Sequence, residues 1–152
     1  MSGKLRSYAK VHQDIVPILG NNTTEGTGTG VSVYGYDDVL MIWQQGVSGD
    51  TLSGSILWTI TFEESNDNSS YTTIVDADLQ GGYGSHTIDA AAEDPTTLVR
   101  QYTGTKRYVR MKGTTTGTHT NGTPIAAVVL LGRSRKQPVT QPTELGTGTS
   151  SG

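Results

Sequence analysis

The sequence predicts an all-β chain: an antiparallel two-sheet β-sandwich, jelly-roll or immunoglobulin-like, with extended N- and C-terminal arms. Three observations predict it. Thr, Ser and Gly dominate, and β-branched Thr and Val suit a pleated surface, while the 20 glycines break helices and supply turns. Apolar and polar residues alternate in short runs, the period of a strand with one buried face. Turn-forming clusters punctuate those runs about every 8 to 15 residues, which suits a sandwich. At 152 residues the chain fits one domain that can bury roughly 70% of its unfolded surface.

Taken in order, residues 1–28 combine a basic start (Lys4, Arg6, Lys10), the apolar patch Ile15-Val-Pro-Ile-Leu19 and the Gly/Thr-rich stretch from Gly20 to Gly30. No strand or helix period persists there, so the segment reads as an arm followed by a flexible connector, removable without unfolding the rest. Residues 29–135 carry the core. Val31-Ser-Val-Tyr-Gly-Tyr36 and Val39-Leu-Met-Ile-Trp-Gln-Gln45 flank Asp37-Asp38, read as a tight turn. In Gly54–Glu64, Ile56, Trp58, Ile60 and Phe62 point one way, and Leu57, Thr59, Thr61 and Glu63 the other, giving one core face and one solvent face. Ser65-Asn-Asp-Asn-Ser-Ser70 is a turn, and the strand Tyr71–Val75 follows. From Asp76 to Pro95 the pattern weakens into an irregular excursion with a short helical turn. Thr97–Tyr102, Lys106–Lys112 and Pro124–Gly132 are further strands, and the last is apolar on both faces, which places it centrally. Residues 136–152 read as a second extended tail.

Composition excludes several classes. With no cysteine there is no disulfide framework, thiol catalysis or cysteine-ligated zinc. No apolar run approaches the roughly 20 residues of a membrane helix, and the basic start lacks the apolar stretch of a secretory signal. The net charge of −3 conceals a segregation. After Lys10 the next basic residue is Arg100, with acids between; Arg100, Lys106, Arg107, Arg110, Lys112, Arg133, Arg135 and Lys136 then run without an acid until Glu144. Two readings stand side by side: acidic and basic strands pairing within a sheet, the basic group with Asp37, Asp38, Glu63 or Glu64, or a polarised surface that docks on a partner. An acidic chain is a poor nucleic-acid binder, so no nucleic-acid partner is expected.

No constellation for catalysis emerges, and the chain is expected not to be an enzyme and to need no cofactor. His12, His86 and His119 lack metal-ligand spacing and read as solvated. Asp76 and Asp78, like Asn66-Asp67-Asn68, lack the other ligands of a calcium loop. Glu63 and Glu64, adjacent on a strand, face opposite ways and cannot work as a carboxylate pair. Gly26-Thr-Gly-Thr-Gly30 lacks the Lys and the helix of a phosphate-binding loop. The Asn-x-Ser/Thr sequons at Asn22, Asn68 and Asn121 are chance matches in so Thr-rich a chain. Tyr34, Tyr36, Trp43, Trp58, Tyr71, Tyr83, Tyr102 and Tyr108 raise the alternative of a sugar-stacking platform, with Trp58 better placed in the core.

At Gly104-Thr-Lys-Arg-Tyr-Val-Arg-Met111, at Val128-Val-Leu-Leu-Gly-Arg-Ser-Arg-Lys-Gln-Pro-Val139, and in the strand-turn-strand stretch Thr61–Tyr71, the sequence resembles small structural proteins of tailed bacteriophages, the capsid decoration or cement proteins. The likeness covers about residues 30 to 139. It implies a β-sandwich that binds the outer surface of an icosahedral capsid and stabilises contacts between capsomers. Its partners are then the major capsid protein and itself, as a homotrimer, with no membrane partner. The place of work is the virion exterior, after synthesis in the bacterial cytoplasm. The residues expected to meet the capsid are Lys4, Arg6, Lys10, Ile15, Val16, Ile18 and Leu19 from the arm, and Lys106, Arg107, Arg110, Arg133 and Arg135 as facing charge. A tail or head-to-tail connector component and a carbohydrate-binding adhesion module are the alternatives.

Overall fold

A computed structural model of the chain describes residues 8–136 and 139–140. The expected contacts Lys4 and Arg6, and nearly all of the C-terminal tail, lie outside the described residues. In chain order the strands are β1 (Lys10–Gly20), β2 (Val31–Ser32), β3 (Tyr36–Gln45), β4 (Leu57–Ser65), β5 (Thr72–Thr73), β6 (Leu79–Gln80), β7 (Ser85–Ile88), β8 (Thr96–Tyr102), β9 (Tyr108–Thr116) and β10 (Thr123–Ser134). They form two antiparallel sheets packed face to face, one ordered β1-β10-β3-β8-β6 and the other β2-β9-β4-β5, with β7 also pairing β4. The expected excursion between Asp76 and Pro95 contains β6, β7 and short 3₁₀ turns at Asp76–Asp78 and Ala91–Glu93. No helix among the described residues is long and apolar enough to cross a membrane.

The core follows the alternation. Trp58, Ile60 and Phe62 of β4 are fully buried against Met41 and Trp43 of β3 and Val129 and Leu131 of β10. Trp43 and Trp58 come from opposite sheets, and their ring centroids are 6.5 Å apart. Gly113 on β9 makes room for both: a Cβ there lies 2.6 Å from Trp43 and 2.9 Å from Trp58. Glu63 and Glu64 diverge as the period demands. Glu63 faces out to Arg110, while Glu64 faces in and accepts the Tyr102 hydroxyl at 2.6 Å.

The first segment differs from the expectation of an arm and loose connector. Residues Lys10–Gly20 are the edge strand of a sheet, in register with β10 from Lys10↔Leu131 to Gly20↔Thr123, and Ile15 lies in the core. Register shifts between Gln13 and Ile15 and between Ile15 and Ile18 erase the period of two, and Pro17, which lacks an N–H, is tolerated at an edge. Removing this segment therefore strips an edge strand from the sandwich.

The glycine-rich stretch is likewise fixed in place. It crosses from one sheet to the other alongside β9, with the Gly28 N–H on the Met111 carbonyl at 2.9 Å and the Gly113 N–H on the Gly26 carbonyl at 2.7 Å. Asp14 sits at the crossing. Its carboxylate accepts the N–H groups of Gly30 (3.0 Å) and Met111 (2.6 Å), and its own carbonyl accepts the Thr29 N–H at 3.1 Å. A Cβ at Gly28 falls 2.1 Å from the Asp14 carboxylate, so glycine is required there for close approach. Asp37-Asp38 is not a turn either: both residues lie in β3, and the reversal occurs one step earlier, at Gly35 with φ +88°.

Candidate interaction surfaces

The segregated charges meet across strands. Arg110 Nε lies 2.6 Å from Glu63, Arg133 Nε 2.6 Å from Asp38, and Arg135 3.0 Å from Asp37. Three of the expected capsid-facing cations are thus partnered within the fold. The Arg133 guanidinium holds the Asp38 carboxyl below its ordinary value, and Asp38 raises Arg133 in return. Arg110 is the better anchored, since its guanidinium also stacks 3.9 Å from the Tyr71 ring centroid. Burial pushes the Tyr71 phenol up to about 12, and its hydroxyl donates to Asn68. Arg110→Ala is expected to cost about 2 kcal/mol through the lost charge-assisted bond and stacking, whereas Arg133→Ala leaves the urea midpoint unchanged because its pair is solvated.

Lys106 and Arg107 are different: among the described residues neither has a carboxylate within ion-pair distance. Both sit in the β8–β9 connection, whose backbone is fixed. The Lys106 N–H donates to the Tyr102 hydroxyl at 2.8 Å, and the Arg107 carbonyl accepts the Val33 N–H at 2.9 Å. The exposed Arg107 guanidinium lies 5.4 Å from the ring of Tyr34 and 5.6 Å from that of Tyr108. Flanking rings restrict its rotamers, so little side-chain entropy remains to be lost on binding an anion.

The topology gathers the expected residues at opposite ends of the sandwich. Lys10 begins β1 opposite Leu131, at the end that also carries Arg133, Arg135, Lys106 and Arg107. Ile15 is core, not contact surface. Val16, Ile18 and Leu19 are exposed, and Ile18 and Leu19 line an open groove of about 520 Å³ with Pro95 and Pro124 at the other end.

Comparison with known protein families, curated proteins and solved structures finds no match for this chain.

The sequence reading missed a broader surface. The outward side chains of β1, β10, β3 and β8 include Val11, Leu130, Val128, Leu40, Ile42 and Val99, contiguous by register and partly or wholly exposed. The signal lay in β3 and β10, whose unbroken apolar runs supply apolar side chains to both sheet faces. Trp43, Trp58 and Tyr102 are buried, while the exposed Tyr34 and Tyr83 sit in separate connections, β2–β3 and β6–β7.

His119 is not solvated as expected. The 117–122 loop folds over one end of the core because the Asp50 carboxylate accepts the N–H groups of Asn121, Gly122 and Thr120, which hold its carboxyl below the ordinary value. The ring is buried edge-on to Trp58, with Nε2 3.2 Å from the Thr116 carbonyl and Nδ1 3.9 Å from Asp50. Among the described residues no group of three His, Asp or Glu could hold a metal ion.

Proposed function

We propose that this chain is a virion structural protein that binds the outside of an icosahedral bacteriophage capsid and stabilises contacts between capsomers. The observation that carries the reading is the Lys106–Arg107 corner: two cations with no acidic partner among the described residues, on a fixed backbone, with Arg107 set between Tyr34 and Tyr108. These residues fall within the Gly104–Met111 stretch that resembles decoration proteins. A cationic corner on a rigid sandwich suits a partner surface that presents carboxylates, and repetition over a shell multiplies a modest single-site affinity. Arg133 and Arg135 border the same end and, being solvated, can exchange their internal carboxylates for external ones at small cost.

Binding of the purified full-length chain to mature heads lacking it is the test. The chain is expected to sediment with the heads, and Lys106→Glu with Arg107→Glu together to weaken binding at least about tenfold, with a flatter salt dependence. Indifference of the wild-type chain to mature heads, or a double variant with unchanged affinity, overturns the reading.

A further inference from the structure

We propose that the outer face of the β1-β10-β3-β8 sheet is the docking surface for a second copy of this chain, the two sheets meeting face to face about a two-fold axis. The register builds the face in rows. Val11, Leu130, Leu40 and Gln101 stand side by side in one, and Gln13, Val128, Ile42 and Val99 in the next. A further row, Ala126, Gln44 and Thr97, continues toward the groove beside Leu19 and Pro124. No Asp, Glu, Lys or Arg points outward in these rows.

Three properties make an identical surface the fitting occupant. The polar side chains that interrupt the apolar rows are Gln and Thr, each both donor and acceptor, so the same pattern can satisfy itself across a two-fold axis. The row beyond Leu130 carries the Asp38–Arg133 pair, a rim of both signs that meets its own copy without net like-charge repulsion. A partner chosen for charge would need a charged face opposite, and this one is neutral. The size also fits. Four strands spaced about 4.8 Å apart over about eight residues span roughly 500 Å² in projection. Side-chain relief and the adjoining groove bring this toward the roughly 800 Å² per partner of a stable interface. An apolar-rich face of that extent stands toward the upper end of the patches that soluble monomers leave in water, and such patches are often functional.

This inference does not depend on capsid binding, since its test contains no capsid, and it replaces the homotrimer that the resemblance implies with a two-fold pair. Sedimentation equilibrium of the full-length chain from about 1 to about 100 μM is expected to give twice the 16.1 kDa chain mass. Ile42→Lys, at the centre of the face, is expected to raise the dimer dissociation constant at least about 30-fold, while Thr61→Lys on the outer face of the opposite sheet leaves it unchanged. Should Ile42→Lys lose its native circular dichroism, Val99→Lys decides instead, at a site already 41% exposed. A wild-type chain that stays monomeric at the highest concentration, a trimer, or a dimer undisturbed by a folded lysine variant on this face overturns the proposal.

Discussion

Asp14→Ala is expected to destabilise the fold by about 4 kcal/mol near pH 4 but by only about 1 kcal/mol at pH 7.5. Two opposing effects produce the difference. The carboxyl group satisfies the Gly30 and Met111 N–H groups at the crossing between the sheets, and removing it strands both donors. Burial simultaneously penalises the charged form, so that despite those donors and the nearby Arg110 and His12 the group is raised from 3.8 to about 6. A carboxyl that holds its proton more tightly when folded stabilises the fold most below its unfolded value. That contribution is lost as pH rises through about 6, and over the whole window the loss is about 3 kcal/mol. Asp67 works in the other direction. Pushed down to about 2 by the Ser70 N–H, the Ser65 hydroxyl and the Ser69 N–H, it contributes stability above the ordinary carboxylate range and loses it as pH falls toward 2. The windows do not overlap, so urea titrations between pH 4 and 7.5 separate Asp14 from Asp67. Asp14→Asn should remove most of the fall in stability across that interval; a variant that keeps the wild-type slope contradicts the assignment.

Trp58→Ala is expected to lower the unfolding free energy by about 4 kcal/mol, the cost of a large cavity in a rigid core. The indole is fully buried, packs against Trp43 and His119, and donates to the Thr123 hydroxyl at 3.1 Å. Glycines press on it from three segments: a Cβ at Gly113 or Gly26 lies 2.9 Å from the ring, and one at Gly20 lies 3.4 Å away. Backbone that has closed to this distance cannot relax far into the void. Trp58→Phe keeps much of the volume and is expected to cost about half as much. Equilibrium urea unfolding measures both, and a loss below about 1 kcal/mol for Trp58→Ala means that the core collapses around the site.

The parts of the fold legible in the sequence were those governed by strict alternation. Trp58, Ile60 and Phe62 announce the inner face of β4, and the doubly apolar β10 announces a strand with neighbours on both sides. Strand β1 was illegible because its register shifts scramble the alternation, and Gly26–Gly30 because glycine marks both loose chain and tight contact. Charge sign was readable along the chain, and so were Asp37, Asp38 and Glu63 as acids placed to pair, but not which base meets which acid. Arg133 and Asp38 are adjacent only because β10 pairs β3, a long-range fact of register. The apolar outer face was legible only in part: the doubly apolar runs of β3 and β10 point to it, but its extent comes from the lateral order of β1, β10, β3 and β8.

The Trp43–Trp58 pair has a consequence beyond packing. These are the chain's two tryptophans, one on each layer, with ring centroids 6.5 Å apart and both side chains fully buried. Their emission and their mutual electronic coupling therefore gauge the gap between the layers. Any event that parts the sandwich registers optically without a label, whereas association on the exterior leaves that signal nearly untouched.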